Sequence, residues 1–341
     1  MRNEPANPLP YMPVIKWQQY EKIALENVAS NIIHRINPCI EIRSTKQHHD
    51  ILSSLTSVWK SRFYIDYSNP DGVLTPSRLS EFFQFINAFY SLGLAVPTLS
   101  PNDFSTLNSA SKQLMSKCKN IAFRLRLSDF AITSQNITLL TRQLTEAKLL
   151  SLSVELIIDL RTTPKNITQT SLSSFCTSLI VVSKIGFTSI KVLSGSFPGS
   201  IATVGTGTGN FPRDDWKLWE KIKNNTVGLN VGYADYGVLS PEWTEKTLTR
   251  RGSRVAIRYT RDNDWLVLRA AGNKSSDSIA LSMIMTSSFK ADFKGKNYSF
   301  GDKLIDDKAN ASVPANKKKC GHYQFTEAWS HHMAFVVKEQ Y

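Results

Sequence analysis

Charged side chains recur near the ends of the β-rich runs of this sequence, where a buried strand would be expected to carry apolar residues. Glu41 and Arg43 lie two residues apart, as do Arg124 and Arg126. Each pair would share one face of a strand, because strand side chains alternate with a period of two. Buried charges are costly unless opposite charges or a ligand compensate them. The pattern therefore predicts a polar pocket at the ends of these strands.

The chemistry that this pocket favours is anion binding. Clustered guanidinium groups repel one another unless an anion compensates them, and arginine binds phosphate through two parallel hydrogen bonds. Residues 194–196, Ser-Gly-Ser, would offer hydroxyl and backbone N–H groups to the same anion. The predicted pocket consists of Glu41, Arg43, Asp66, Arg124, Arg126, Asp159, Arg161, Ser194, Gly195, Ser196, Asp235 and Tyr236. The alternative is that the acids and arginines satisfy one another or point outward.

Other motifs in the sequence assign no catalytic residue, cofactor or metal site. The six histidines form no HExxH or H-x-E motif, and the four cysteines form no CxxC. Alternate glycines at 205, 207 and 209 resemble a dinucleotide-binding motif only superficially, because they do not follow a strand at the required spacing. They predict a flexible surface loop.

The elements that would position these residues alternate between strands and amphipathic helices. Such alternation indicates a parallel sheet with helical crossovers. The candidate strands are 13–17, 39–43, 62–67, 95–100, 120–127, 153–160, 187–194 and 228–236, and the helical segments are 18–34, 46–59, 76–92, 104–118, 133–150, 166–185 and 213–223. Eight units in about 240 residues predict an α/β fold, an eight-stranded β/α (TIM-like) barrel, with function at the C-terminal ends of its strands. An open doubly wound sheet is the alternative.

The pattern changes after residue 240. Residues 253–271 alternate around an Asp/Asn-rich turn and predict a β-hairpin. A helix over 278–289, a loop over 291–321 and a last helix over 325–339 follow. We therefore expect a barrel over 1–240 and a C-terminal hairpin and helical extension over 241–341 that packs on it.

Composition bounds the partners and the location. The net charge is +13, with 41 Lys and Arg against 28 Asp and Glu, which favours polyanionic partners. No run approaches the roughly 18 apolar residues of a membrane span, and the first residues lack the apolar core of a secretory signal. These observations predict a soluble protein of the cytoplasm.

Nine blocks, in this order and spacing, carry a resemblance that covers nearly the whole chain. They are YMPVIKWQQYEKIAL, CIEIR, FYIDY, VELIIDLR, SGSFP, RDDWKLWE, ADYGVLSPEW, IRYTRDNDWLVLRA and WSHH. Together they resemble the phage beta protein family. The resemblance implies a phage accessory role in the host cell, in which the protein restrains a co-encoded toxic protein (Gop-like) within a phage-exclusion, anti-phage defence module. It supplies no catalytic residue.

Two hypotheses about function stay open at this point. The first is a non-enzymatic, antitoxin-like regulator, favoured because no known catalytic constellation is present in the sequence. The second is a barrel enzyme or sensor that binds a phosphorylated ligand or nucleic-acid end at the charged C-terminal rim. Direct sequence-specific DNA binding is less favoured, because no helix-turn-helix stands out and the charge is dispersed.

Overall fold

Eight parallel strands close into a barrel, as the sequence predicts. The computed structural model describes residues 8–69, 71–242, 254–321 and 324–341. The barrel strands are β1 (Met12–Lys16), β2 (Cys39–Glu41), β3 (Phe63–Asp66), β4 (Ala95–Leu99), β5 (Asn120–Arg126), β6 (Ser153–Thr162), β7 (Ile190–Gly195) and β9 (Val231–Asp235). Strands pair in chain order, and β9 pairs with both β7 and β1 to close the ring. The open doubly wound alternative is therefore excluded.

Helices follow most of the barrel strands. They are α1 (Gln19–Glu26), α2 (Thr45–Val58), α3 (Pro76–Phe89), α4 (Pro101–Thr106), α5 (Ser109–Ser116), α6 (Ser134–Leu149), α7 (Gln169–Ser183) and α8 (Asp214–Asn225). Pro76 opens α3, where its missing N–H leaves no hydrogen bond unmade. The prediction of a single helix over residues 104–118 was wrong, because two helices, α4 and α5, occupy this region. Asn108 interrupts it and caps α5 by accepting a hydrogen bond from the Ser111 amide.

The described chain forms two compact units that interleave along the sequence. The first comprises the described residues within Met1–Trp17, Asn37–Gly195 and Asp215–Asp235, and it contains the barrel. The second comprises Gln18–Ile36, Ser196–Asp214 and the described residues within Tyr236–Tyr341. The predicted division at residue 240 cuts the chain once, whereas each of these two units is built from three separate segments of the chain.

The second unit contains a three-stranded antiparallel sheet in the order β10–β11–β8. Its strands are β8 (Gly207–Pro212), β10 (Ala256–Thr260) and β11 (Asp264–Arg269). The predicted hairpin is confirmed for β10 and β11, and residue 253 of that prediction lies outside the described residues. The flexible loop predicted for the alternate glycines was wrong. Gly207 and Gly209 lie in β8, which pairs with β11 from Gly207–Arg269 to Pro212–Asp264.

Among the described residues, the second unit contains α1 and, after the sheet, α9 (Ser275–Ser287), α10 (Phe300–Ala309) and α11 (Gln324–Phe335). The loop predicted over 291–321 was wrong where α10 forms. Ser299 caps this helix by accepting a hydrogen bond from the Asp302 amide, which satisfies one of the free N–H groups of its first turn. Among the described residues, no helix is both long and apolar enough to cross a lipid bilayer.

Candidate functional site

Strands β1, β2, β3, β5 and β6 bring charged side chains together at their C-terminal ends. Parallel pairing places Lys16 beside Glu41 and Glu41 beside Asp66, so these side chains face the same side of the sheet. Five strands and Arg43, two residues beyond the end of β2, thus contribute to one cluster. We call it the mouth network, and it consists of Lys16, Glu41, Arg43, Asp66, Arg124, Arg126 and Asp159.

Arg124 lies at the centre of the mouth network. Its Nη1 donates to Glu41 Oε1 at 2.8 Å and to Asp66 Oδ2 at 2.7 Å, and its Nε donates to Asp159 Oδ2 at 2.9 Å. Only 1% of the Arg124 side chain is exposed. One buried guanidinium therefore joins carboxylates from three different strands, which a planar fork of five N–H donors can do and a lysine cannot.

Arg126 extends the same network toward solvent. Its Nη2 donates to Asp66 Oδ2 at 2.9 Å and to Ser68 Oγ at 2.8 Å, and its Nε lies 3.7 Å from Asp159 Oδ2. Its side chain is 15% exposed. Gly72 lies against it at a φ of +85°, and a Cβ there would come within 2.6 Å of Arg126 Cδ. A glycine is thus required for this close approach.

Glu41 receives two further cations. Arg43 donates to Glu41 Oε2 from Nη2 at 2.6 Å and from Nε at 3.1 Å, and Lys16 Nζ donates to the same oxygen. The Arg43 backbone N–H donates to Gln47 Oε1 at 2.7 Å, which fixes the start of α2 beside the site. The side chain of Arg43 is 10% exposed. Arg43 and Arg126 are therefore the arginines of this network that retain some access to solvent.

The charges and the burial of the mouth network lower the pKa values of both Asp66 and Lys16. Burial by itself would raise the pKa of the Asp66 carboxyl, but Arg126, Arg124 and hydrogen bonds from Ser68 outweigh it and hold this pKa well below its usual range. Burial lowers the pKa of Lys16 far below its usual value, and Arg43 and Arg124 lower it further by repulsion. The network thus keeps Asp66 ionised, while burial and the neighbouring arginines make the protonated form of Lys16 less favourable than it is in water.

Two other predicted residues follow the network in the chain but have different roles. Arg161 adopts a left-handed φ of +55° beside the register shift of β6 between Asp159 and Thr162. Its backbone N–H donates to Asp159 Oδ1 at 2.8 Å, so it orients the carboxylate that Arg124 binds. Gly195 contributes its carbonyl oxygen to the Thr163 amide at 2.9 Å.

Ser194 and Asp235 face away from the mouth network. Asp159 faces the interior of the barrel, and the parallel pairing of Asp159 with Leu193 and of Leu193 with Ala234 places those two residues on the same interior face. Ser194 and Asp235 come one residue later in their strands, so their side chains point to the outer face. The Ser194 hydroxyl accepts a hydrogen bond from Thr163 Oγ1 at 3.2 Å. The predicted pocket is therefore divided, because strand alternation separates these two residues from the arginines.

Asp235 instead belongs to a tyrosine–carboxylate cluster beside α8. The Tyr11 hydroxyl donates to Asp235 Oδ1 at 2.6 Å, and the Tyr233 hydroxyl lies 2.9 Å from Asp235 Oδ2 and 2.7 Å from Asp215 Oδ2. The Tyr11 and Tyr233 rings stack at 5.7 Å. These contacts join the two strands that close the barrel to the helix between β8 and β9.

The last two predicted residues, Ser196 and Tyr236, belong to the second unit. The Ser196 hydroxyl donates to the Pro212 carbonyl at 3.3 Å, and Tyr236 is buried. Of the predicted set, the structure thus brings together Glu41, Arg43, Asp66, Arg124, Arg126 and Asp159, with Arg161 supporting Asp159.

Sequence reasoning missed a second polar cluster inside the barrel, nearer the N-terminal ends of the strands. Glu155 Oε2 accepts from Tyr64 Oη at 2.7 Å and Ser189 Oγ at 2.5 Å and lies 3.3 Å from Lys191 Nζ, while Arg62 binds Oε1. Burial would raise the pKa of Glu155, but Lys191 and Arg62 lower it to about 2. The available signal was a charged residue at an interior position of both β6 and β7. Among the described residues, no group of three or more His, Cys, Asp or Glu could hold a metal ion.

The fold and this interior define a β/α barrel protein with a charged C-terminal mouth. Solved structures similar to the chain include the arginine decarboxylase of Paramecium bursaria Chlorella virus, at 12% identity and a TM-score of 0.38, covering 74% of this chain and 69% of that one. They also include a xylose isomerase domain-containing protein of Salmonella typhimurium LT2, at 12% identity and a TM-score of 0.29, covering 70% and 92%. No curated protein sequence matches the chain.

The family is established by a match over nearly the whole chain. A family model described as "Beta protein" matches residues 11–338. The chain therefore belongs to the phage beta protein family, and the predicted resemblance is confirmed.

Proposed function

We propose that this phage protein is an antitoxin-like, non-enzymatic partner that counteracts the killing activity of a co-encoded toxic protein (Gop-like). Membership of the beta family over residues 11–338 supports the phage role. The observation that favours a regulator over an acid–base enzyme is that Glu41, Asp66 and Asp159 all bind guanidinium groups. A general base works best with a pKa near the operating pH, whereas the pKa of Asp66 is held far below it.

A co-expression experiment tests the proposed restraint. The toxic protein encoded beside this chain is induced in cells that carry the wild-type chain, an empty vector, or an Arg126→Gln variant. Wild type should restore colony formation by several orders of magnitude over the empty vector. If cells with wild-type protein die as fast as those without it, the proposed restraint is overturned. Arg78→Gln, which removes a partly exposed ion pair with Glu81 within α3, is the matched control for an arginine substitution.

A second candidate function is the binding of a phosphorylated ligand or nucleic-acid end at the barrel mouth. It is favoured by the partial exposure of Arg43 and Arg126, at 10% and 15% of their side chains. Arginine at such a rim could exchange part of its carboxylate contact for a bidentate phosphate contact. A ligand of this kind would be retained through purification if it binds tightly.

Mass spectrometry of the denatured, purified protein tests this candidate. A phosphorylated small molecule released from wild type, but not from Arg126→Gln, would support it. Addition of inorganic phosphate or a nucleoside monophosphate should then raise the melting temperature of wild type, since a ligand that binds only the folded state stabilises it. The candidate is rejected if neither addition changes the melting temperature and no molecule is released.

A further inference from the structure

One face of the three-stranded sheet of the second unit is apolar, and the opposite face carries arginines among buried residues such as Trp265 and Val267. Alternation along β10 and β11 sends Ile257, Tyr259, Leu266 and Leu268 into a hydrophobic cluster with Met285 of α9. The opposite face carries Arg258 and Arg269, which are diagonal neighbours because Arg258 pairs with Val267 and Ala256 pairs with Arg269. We call Arg258, Arg269 and the exposed Arg254 before β10 the arginine face.

Arg254 and Arg269 are held side by side by the loop before β8. Arg269 Nη1 donates to the carbonyl oxygens of Ala202 at 3.2 Å and Gly205 at 3.1 Å. Arg254 Nη1 lies 3.5 Å from the same Gly205 oxygen and donates to Thr206 Oγ1 at 3.2 Å. Both guanidinium groups thus converge on one carbonyl, while their remaining N–H groups have no acceptor among the described residues.

Arg258 has fewer hydrogen-bond partners than Arg254 or Arg269 among the described residues. Its guanidinium carbon lies 4.4 Å from the centre of the Phe325 ring and 6.0 Å from that of Phe197. Its Nε and Nη1 atoms are buried and lack a hydrogen-bond partner among the described residues. Burial, and then repulsion by Arg269, lowers the pKa of Arg258 to about 10. A buried cation in this position is costly unless something compensates it.

Carboxylates do not compensate these charges within the described part of the chain, where none of the three arginines forms an ion pair. Space for another group exists beside them. Gly207 pairs with Arg269 across the sheet, and a Cβ built on Gly207 would meet no described atom within 4 Å. The same is true of Gly205. The alternate glycines therefore leave open space next to the converging guanidinium groups.

We propose that the arginine face is an oxyanion site that binds phosphate groups. Guanidinium groups held by backbone carbonyls and aromatic rings are preorganised, so binding loses little side-chain entropy. A phosphate would accept hydrogen bonds from the N–H groups of Arg254 and Arg269 that have no acceptor among the described residues, and its charge would offset the repulsion among the three guanidinium groups. The net charge of +13 is consistent with a polyanionic ligand. This site is separate from the barrel mouth and does not depend on the function proposed for that mouth.

The shared chemistry is a phosphate group, and two probes distinguish its source. The first is a fluorescently labelled single-stranded DNA of about 20 nucleotides, long enough to span a typical strand-binding site. The second is inorganic phosphate, followed by the melting temperature. Full-length protein is used throughout. Wild type should bind the DNA with an affinity that falls steeply with salt, because phosphate contacts release counterions.

The decisive variant is the double substitution Arg254→Gln/Arg269→Gln. It should weaken DNA binding by at least about tenfold and make the slope of log affinity against log salt shallower by about 1.4, because each phosphate contact on a single strand contributes about 0.7. The control Arg261→Gln/Lys303→Gln removes the same charge from positions that are already ion-paired, with Asp264 and Asp307. The control should bind DNA within about twofold of wild type, because breaking exposed ion pairs changes the fold little and removes no contact of the arginine face.

Each outcome decides the proposal. Loss of DNA binding in the double variant but not in the control supports a nucleic-acid source. If wild type does not bind DNA, but phosphate raises its melting temperature and that of the control and not that of the double variant, a small phosphorylated source is supported. Failure of both probes with wild type overturns the proposal, as does equal binding by the double variant and the control. Arg258→Met provides a further check, because it should weaken binding while preserving the contact with Phe325.

Discussion

Arginine is used in opposite ways in the two units of this protein. In the mouth network, Arg124 is 1% exposed and binds three carboxylates. On the arginine face, Arg258 has buried nitrogen atoms without a hydrogen-bond partner among the described residues, and its neighbours bind only carbonyl and hydroxyl oxygens. The first arrangement satisfies its own charges, whereas the second leaves positive charge uncompensated.

The contrast between the two groups of arginines indicates which residues contribute to stability and which contribute to binding. Removing one partner from a satisfied buried network leaves unpaired charge behind and is strongly destabilising. Removing an unsatisfied buried cation relieves a desolvation cost. Residues of the mouth network should therefore matter most for folding, and those of the arginine face most for ligand binding. This is the trade-off expected where a binding site is stabilised only by its ligand.

The largest expected effect is that of Arg124→Met. The substitution keeps much of the side-chain volume but leaves Glu41, Asp66 and Asp159 without their shared guanidinium. We expect the free energy of unfolding to fall by about 3–5 kcal/mol, measured by urea denaturation. Hydrogen exchange in β2, β3 and β5 should accelerate with it, which locates the loss in the barrel.

The matched control for this substitution is Arg78→Met, whose ion pair with Glu81 joins residues three apart within α3, with 16% and 13% of the two side chains exposed. We expect a change below about 1 kcal/mol. A loss below about 1 kcal/mol for Arg124→Met as well would contradict the contrast between the two units, because it would mean that the mouth carboxylates are satisfied without Arg124.

A smaller, pH-dependent effect is expected for Asp66→Asn. The folded-state pKa of Asp66 is lowered, so this carboxylate contributes stability that is present above its unfolded pKa of about 3.9 and is lost as the pH falls toward the folded value. At pH 7 the variant should therefore unfold more easily than wild type. As the pH falls below about 4, the difference between the two should narrow. A constant difference from pH 7 to pH 3 would show that Asp66 is not stabilised as a carboxylate.

Arg258→Met should have a small effect of the opposite sign. Because burial lowers the pKa of Arg258 to about 10, its protonated form destabilises the fold at neutral pH. Methionine retains an apolar contact with Phe325 without the charge. We expect the free energy of unfolding to stay the same or rise by up to about 1 kcal/mol. A loss of several kcal/mol would show that Arg258 is compensated after all.

The smallest effect is expected for Arg254→Gln. Arg254 is exposed and donates only to Gly205 and Thr206. Surface substitutions of this kind change the free energy of unfolding by less than about 0.5 kcal/mol. A thermal denaturation series at constant salt checks this, and a larger loss would assign Arg254 a structural role instead of a binding role.

The amino-acid sequence was sufficient to predict the barrel fold and the approximate bounds of its strands. Period-two alternation, the regular change from strand to helix and the hairpin turn at residues 261–263 are local signals, and each is strong enough to be read without tertiary contacts. Local signals also sufficed to place Glu41, Asp66, Arg124 and Asp159 near strand ends. Once the barrel was inferred, their convergence at one end followed from parallel pairing.

Tertiary structure alone decided which charges meet. Asp235 is a carboxylate near a strand end, as Asp66 is, and Ser194 also lies near a strand end. A one-residue difference in strand phase nevertheless turns both to the other face of β9 and β7. The glycine segment 207–212 became a strand because β11, more than fifty residues later, supplies its hydrogen-bond partners. Likewise, nothing local distinguishes Arg124 from Arg258, since their different states depend on which distant side chains surround each guanidinium.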